Sequence, residues 1–252
     1  MAKTIFITGA SSGIGEHVAL EMAQRGYNLA LTARRLERLE DLKGRITAAH
    51  PNCEVELAQL DVTDTDATVA CVNALWERCG GFDIALANAG IGADGPAGTG
   101  VLDRQLEMID TNIRGFVATI DAVTAKMVAR GAGGQIVGIA SVAAYRGMAG
   151  SGVYSGSKAF VVTYMDALRL QLRGAGIDVS ILSPGFIDTA INEDLGDKRM
   201  FLVDVKTGAK AAADLIERKV KHKTVPVMPW TVMGWLMKRL PDAMVPNPMG
   251  DR

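Results

Sequence analysis

KTIFITGASSGIGEHVALEMAQRG, Lys3 to Gly26, runs from an apolar stretch through a glycine loop into a helical pattern. Thr4 to Thr8 reads as a strand and Ile14 to Arg25 as a helix. Between them Gly9, Gly13 and Gly15 supply backbone that turns sharply, approaches a ligand closely and lets the helix pack on the strand. Helix N-terminal amides then converge on one spot, which is a place for a phosphate. Ser11, Ser12 and Ile14 belong to the same loop.

The spacing is G-x-x-x-G-x-G, not the common G-x-G-x-x-G, so context has to support the letters. The alternative is a strand-to-helix turn whose glycines serve packing alone. Position favours the ligand reading, because the loop follows the first strand and opens the first helix, where a mononucleotide-binding unit holds its phosphate.

Working outward, strands alternate with helices: strands at Asn28–Ala33, Glu54–Leu60, Asp83–Ala87, Gly134–Ser141 and Ile177–Ser183, helices at Arg35–Ala49, Asp64–Cys79, Ser151–Arg173 and Val205–Lys221. Leu102–Arg130 is helical with a break expected near Asp110, and Thr224–Met228 is a last strand that Pro226 confines to an edge. This order predicts an α/β fold, a Rossmann-type doubly wound parallel sheet of about seven strands with helices on both faces. One domain over residues 1–252 is expected, with a substrate lid at 189–205 and an apolar C-terminal extension at 224–252.

Composition narrows the function. With 48% hydrophobic residues and a formal net charge of -1, the chain offers no surface built for nucleic acid. Cys53, Cys71 and Cys79 form no C-x-x-C pair, and His17, His50 and His222 are far apart, so no metal site is expected and the histidines read as surface or helix residues. A reducing cytoplasm fits this cysteine usage, and no run of 18 or more apolar residues predicts a membrane span. At the end of the second strand stand Arg34 and Arg35, with the first acid only at Glu37. An acid there would serve a ribose 2′-hydroxyl and an arginine a 2′-phosphate, so NADP(H) is favoured over NAD(H).

The chemistry concentrates in YSGSK, where Tyr154 and Lys158 lie four apart on one helix face. Ser141 precedes them at a strand end, and Asn112 sits in DTNIRG. Together with TGASSGIG (Thr8 to Gly15), NAG (Asn88 to Gly90) and PGFIDT (Pro184 to Thr189), these motifs resemble the short-chain dehydrogenase/reductase family over about residues 3 to 190. Ala87 stands where many members have a second asparagine, and Ser12 where many NADP-preferring members have a basic residue.

The resemblance implies an oxidoreductase that moves hydride between NADP and a carbonyl or secondary alcohol without a metal. Tyr154 would be the general acid in reduction and general base in oxidation, with Ser141 on the substrate oxygen. Lys158 would lower the tyrosine's pKa and hold the nicotinamide ribose, and Asn112 would stabilise a water leading from Lys158 to solvent. Taking a phenol from about 10 toward 7 needs about 4 kcal/mol. An ammonium about 4 Å away supplies roughly that at an effective dielectric of about 20. Asp61 and Val62 would line the adenine, Asn88, Ala89 and Gly90 the adenosine ribose, and Pro184, Gly185, Ile187 and Thr189 the nicotinamide end. A homodimer or homotetramer packed through Asp110–Arg130 and Ser151–Arg173 is also implied. A non-catalytic NADP-binding redox sensor is the rival, and dehydratase or epimerase chemistry on the same scaffold a second.

Substrate should meet Ile91–Gly100, Val142–Gly150 and the stretch after Thr189, which offer Tyr145, Met148, Phe186, Met200, Phe201 and Leu202. Mostly apolar, they predict an uncharged carbonyl or alcohol, with Arg146 as the one group that would receive an acidic substrate. VPVMPWTVMGWLM (Val225 to Met237) would close the cleft or bury against another subunit, peripheral membrane contact being the lesser alternative.

Overall fold

A computed structural model describes residues 2–92, 95–188, 201–241 and 244. Among these, seven parallel strands form one sheet: β1 (Thr4–Thr8), β2 (Asn28–Ala33), β3 (Val55–Gln59), β4 (Ile84–Ala87), β5 (Gly134–Ile139), β6 (Ile177–Pro184) and β7 (His222–Val225). Their order is β3-β2-β1-β4-β5-β6-β7. The α-helices among the described residues are α1 (Gly13–Gln24), α2 (Leu36–Ala49), α3 (Thr65–Cys79), α4 (Leu102–Ile109), α5 (Phe116–Arg130), α6 (Gly152–Gln171), α7 (Val205–Glu217) and α8 (Trp230–Met237).

The central strands are apolar throughout because both sheet faces are covered. In β1, Ile5 and Ile7 face a core shared with α1, α2 and α7, while Phe6 faces the opposite core with α3, α5 and α6. Phe6 stacks on Phe82 at 4.9 Å, and Trp76 of α3 meets Phe82 edge-on at 5.2 Å. Asp64 caps α3 by accepting from the Ala67 N–H at 2.9 Å, and Gly80 closes that helix in the left-handed conformation. On the other face Arg25, at the end of α1, reaches Asp214 at 2.6 Å and Glu217 at 2.7 Å on α7.

The strand order reverses between β1 and β4, so their carboxyl ends open a crevice at that switch point. Three elements depart from expectation. The break near Asp110 is a π-helical turn over Asp110–Gly115 that joins α4 to α5 without ending the helix. Gly115 explains its place: a Cβ there would lie 2.6 Å from the Val62 carbonyl oxygen. The last strand starts two residues earlier than predicted and stops before Pro226, which has no N–H for a ladder. The apolar tail forms helix α8.

Candidate active site

At the end of β1 the backbone is drawn against β4. Gly9 adopts φ +68°, and a Cβ on it would lie 2.8 Å from the Ala89 Cα. One on Gly15 would lie 2.5 Å from both Asn88 Nδ2 and the Gly9 carbonyl oxygen. The Asn88 amide donates to the carbonyls of Thr8 at 3.0 Å and Gly9 at 3.2 Å. Thr8 returns the contact, its hydroxyl accepting the Asn88 and Ala89 N–H groups at 3.1 Å each. Asn88 is thus a buttress of the glycine loop, and Thr8 is a positioning residue that sequence reasoning missed; its signal was a hydroxyl at a strand end beside the loop.

The two arginines after β2 part company. Arg35 donates to the hydroxyls of Ser11 at 3.2 Å and Ser12 at 3.1 Å, so a guanidinium stands beside the loop. Arg34 instead lines a cavity of about 340 Å³ with Gln59, Leu60, Asp61, Asp64 and Ala67, and lies 4.0 Å from Glu107. Ser12 precedes α1 without capping it, leaving the helix's first amides for a ligand. These features fit a dinucleotide: uncapped amides and a cation at the loop for phosphates, and a cavity at Asp61 for the adenosine end. Val62 is buried against Gly115, beside that cavity and not exposed along it.

The reacting groups converge from β4, the π-turn, β5 and α6. A Cβ on Gly90 would lie 3.2 Å from Asn112 Oδ1 and 3.3 Å from Lys158 Nζ, so the absence of a side chain at Gly90 lets them approach. Asn112 holds the backbone of Ile91, accepting its N–H at 2.8 Å and donating to its carbonyl at 2.9 Å. Its amide also donates to the Ser157 hydroxyl at 3.1 Å, which donates to the Tyr154 carbonyl at 2.8 Å. Ser157 is a second residue the sequence reading missed, hidden inside YSGSK as a spacer.

Ser141 starts a short 3₁₀ turn, Val142–Tyr145, and its hydroxyl accepts the Ala143 N–H at 3.1 Å and approaches the Pro184 carbonyl at 3.5 Å. The same hydroxyl hydrogen-bonds the Tyr154 phenol. Lys158 is 6% exposed and donates to the Ile139 carbonyl at 3.1 Å, its ammonium 5.8 Å from the centroid of the Tyr154 ring. Burial takes the Lys158 pKa down to about 8. Burial pushes the Tyr154 phenol above its ordinary value, and the Ser141 hydrogen bond offsets that only in part. This differs from the expected fall toward 7. The reason is physical: desolvation disfavours phenolate and ammonium alike, and it is the largest cause at both groups.

Helix α8 packs over the segments expected to meet substrate. Trp230 meets Phe186 edge-on at 5.3 Å and Phe201 at 6.2 Å, and covers Gly185 so closely that a Cβ there would lie 2.1 Å from its Nε1. A Cβ on Gly234 would likewise lie 2.2 Å from the Tyr145 ring. Arg146 donates to the carbonyls of Met237, at 3.2 Å, and Leu240, so its guanidinium ties down the end of α8. The tail has two characters: Trp230 and Gly234 are buried, whereas Met228, Val232 and Trp235 are exposed. His222 is neither a helix nor a free surface residue; it begins β7 and shares a 2.9 Å hydrogen bond with Ser183, and burial lowers its pKa. Ile187 is buried and pairs with Val203, whereas Thr189 and Met200 lie outside the described residues, as do 189–200 of the expected lid.

No helix among the described residues is long and apolar enough to cross a membrane. The model of the short chain dehydrogenase family matches residues 3–200. An uncharacterised oxidoreductase of Myxococcus xanthus is 37% identical over 253 residues, covering 99% of this chain and 95% of its own. Among solved structures, an alcohol dehydrogenase from Thermococcus sibiricus complexed with 5-hydroxy-NADP matches with a TM-score of 0.79 at 27% identity, over 89% of this chain and 96% of that one. A short chain dehydrogenase/reductase from Burkholderia phymatum in complex with NAD matches with a TM-score of 0.82 at 25% identity, over 92% of each chain. With the glycine loop, the seven-stranded parallel sheet and the Ser141, Tyr154 and Lys158 constellation in place, the chain belongs to the short chain dehydrogenase family of oxidoreductases.

Proposed function

We propose that this protein is an NADP(H)-dependent reductase of apolar ketones or aldehydes, with Tyr154 as the proton donor. One observation carries the reading: the Tyr154 phenol is hydrogen-bonded to the Ser141 hydroxyl and has the buried Lys158 ammonium 5.8 Å from the centroid of its ring. A phenol so placed can give a proton to a carbonyl oxygen as the carbon is reduced. The reduced nicotinamide, when bound, supplies the hydride. Ser141 and Tyr154 hold the substrate oxygen, and Tyr154 gives it a proton as the carbon is reduced. Lys158 steadies the phenolate that results, and Asn112 holds Ile91 and, through Ser157, the first turn of α6.

Arg35 supports NADP over NAD. The cation that the family resemblance placed at residue 12 is replaced in space by a guanidinium bonded to the Ser12 hydroxyl. The T. sibiricus relative was captured with an NADP derivative and the B. phymatum relative with NAD, so the choice rests on Arg35 and Arg34. Arg146, engaged by α8 carbonyls, supports an uncharged substrate. For a homodimer or homotetramer through α5 and α6, the exposed Val128 and Leu170 on those helices are the support.

The test is fluorescence titration with NADPH and NADH, followed by NADPH oxidation with a panel of apolar ketones and aldehydes. Tighter NADPH binding, turnover in the panel, and loss of turnover with retained NADPH binding in Tyr154→Phe are expected. Equal or tighter NADH binding refutes the arginine argument. Turnover surviving in Tyr154→Phe refutes the role of the phenol.

A further inference from the structure

Every buried donor in a folded chain ordinarily finds an acceptor, and one left without is a place to look for a ligand. Trp230 is 4% exposed, and its indole Nε1 has no hydrogen-bond partner among the described residues. Nε1 is also the ring atom nearest the side-chain position of Gly185, so the N–H edge lies across the end of β6. That end belongs to the reaction centre: the preceding Pro184 carbonyl is 3.5 Å from the Ser141 hydroxyl, which bonds the Tyr154 phenol. Around the indole the wall is aromatic, with Phe186 and Phe201 both presented edge-on. An apolar wall with one convergent donor is how a small-molecule site fixes orientation.

We propose that Trp230 is a substrate-binding residue whose indole N–H donates to a second oxygen of the substrate, distinct from the oxygen that is reduced. The proposal rests on the reductase reading for the position of the reacting carbonyl. Ser141 and Tyr154 already claim that carbonyl, so the Trp230 donor selects for another acceptor on the same molecule. The class is an apolar carbonyl compound with an added neutral oxygen acceptor, such as a β-keto ester. Gly185 is part of this device, because a side chain there would displace the indole.

The chain has three tryptophans, Trp76, Trp230 and Trp235, so ¹⁵N-indole labelling gives three resonances, and Trp230→Phe identifies the relevant one by its loss. Wild-type protein saturated with NADP⁺ is titrated with ethyl acetoacetate and, separately, with 2-heptanone, an alkyl analogue of similar length without the ester. The Trp230 resonance should move downfield with the keto ester and stay with the ketone. In steady-state reduction by NADPH, Trp230→Phe should lose about 10-fold in keto ester over ketone selectivity, the scale of one buried neutral hydrogen bond. A resonance that moves alike with both compounds, or with neither, overturns the proposal, as does unchanged selectivity in Trp230→Phe. A keto ester-specific shift with no NADPH oxidation by either compound upholds the donor and overturns the reductase reading. Turnover without that shift does the reverse.

Discussion

Replacing Lys158 with Met should make the protein more stable while abolishing turnover. Lys158 is buried, and burial takes its pKa from 10.5 down to about 8. The folded state therefore penalises the ammonium relative to the unfolded chain, by about 3 kcal/mol for a displacement of that size. Methionine fills similar space without charge and gives up the hydrogen bond to the Ile139 carbonyl, worth about 1 kcal/mol. A net gain of about 2 kcal/mol remains at neutral pH, or about 4–8 °C in Tm for a chain of this length.

The pH dependence is the sharper test. Below pH 8 lysine is protonated in both states and the wild type carries the full penalty. Between about 8 and 10.5 the unfolded chain holds a proton that the folded chain has lost, so wild-type stability rises with pH. The advantage of Lys158→Met should accordingly be constant from pH 6 to 7.5 and shrink steadily toward pH 10. Urea unfolding of both proteins across that range measures it, and the difference cancels the other titrating groups. A variant less stable than wild type at pH 7, or an advantage that does not change up to pH 10, would refute the desolvation argument for this site.

Three further substitutions test the scaffold. Gly15→Ala should cost about 1–3 kcal/mol and weaken nucleotide binding, because its Cβ meets Asn88 and the Gly9 carbonyl at 2.5 Å. Gly44→Ala, in helix α2 with nothing within 4 Å of the added Cβ, should instead gain about 0.5–1 kcal/mol, and urea midpoints separate the two. Arg25→Ala leaves Glu21, Asp214 and Glu217 without their shared cation and should cost about 1–2 kcal/mol, discounted for the exposure of the α7 carboxylates. That loss should diminish in high salt; a salt-independent midpoint difference would assign it to packing instead.

The glycine-loop end of the fold was legible because glycine spacing, strand apolarity and a following helix are all local patterns. Gly9, Gly15 and YSGSK could be placed from the letters, and their elements came out within a residue or two of the expected bounds. What lay outside reach was set by contacts between distant segments. The Asp110–Gly115 stretch has the same residue pattern whether it winds as an α or a π turn, and the close packing of Val62 on Gly115 is a contact between distant segments that the letters do not show. The direction of the Tyr154 pKa depends on how completely α6 is covered, which spacing does not encode. Arg34 and Arg35 are neighbours in sequence, yet the chain turning into α2 sends one toward Gln59 and Asp61 and the other toward Ser11 and Ser12. Trp230 sat in a stretch apolar on all sides, where no periodicity singles out the face that turns inward.

Helix α8 has a consequence in time. Three of its anchors are remote in sequence: Arg146 reaches the Leu240 carbonyl across 94 positions, Tyr145 lies under Gly234, and Gly185 under Trp230. The pieces of the nucleotide crevice, from Thr8 to Lys158, have all left the ribosome before α8 is made. A growing chain therefore acquires the glycine loop and the Tyr154 and Lys158 helix before it can build the aromatic wall. The aromatic wall arrives with α8, which docks onto a surface that the earlier residues have already laid down.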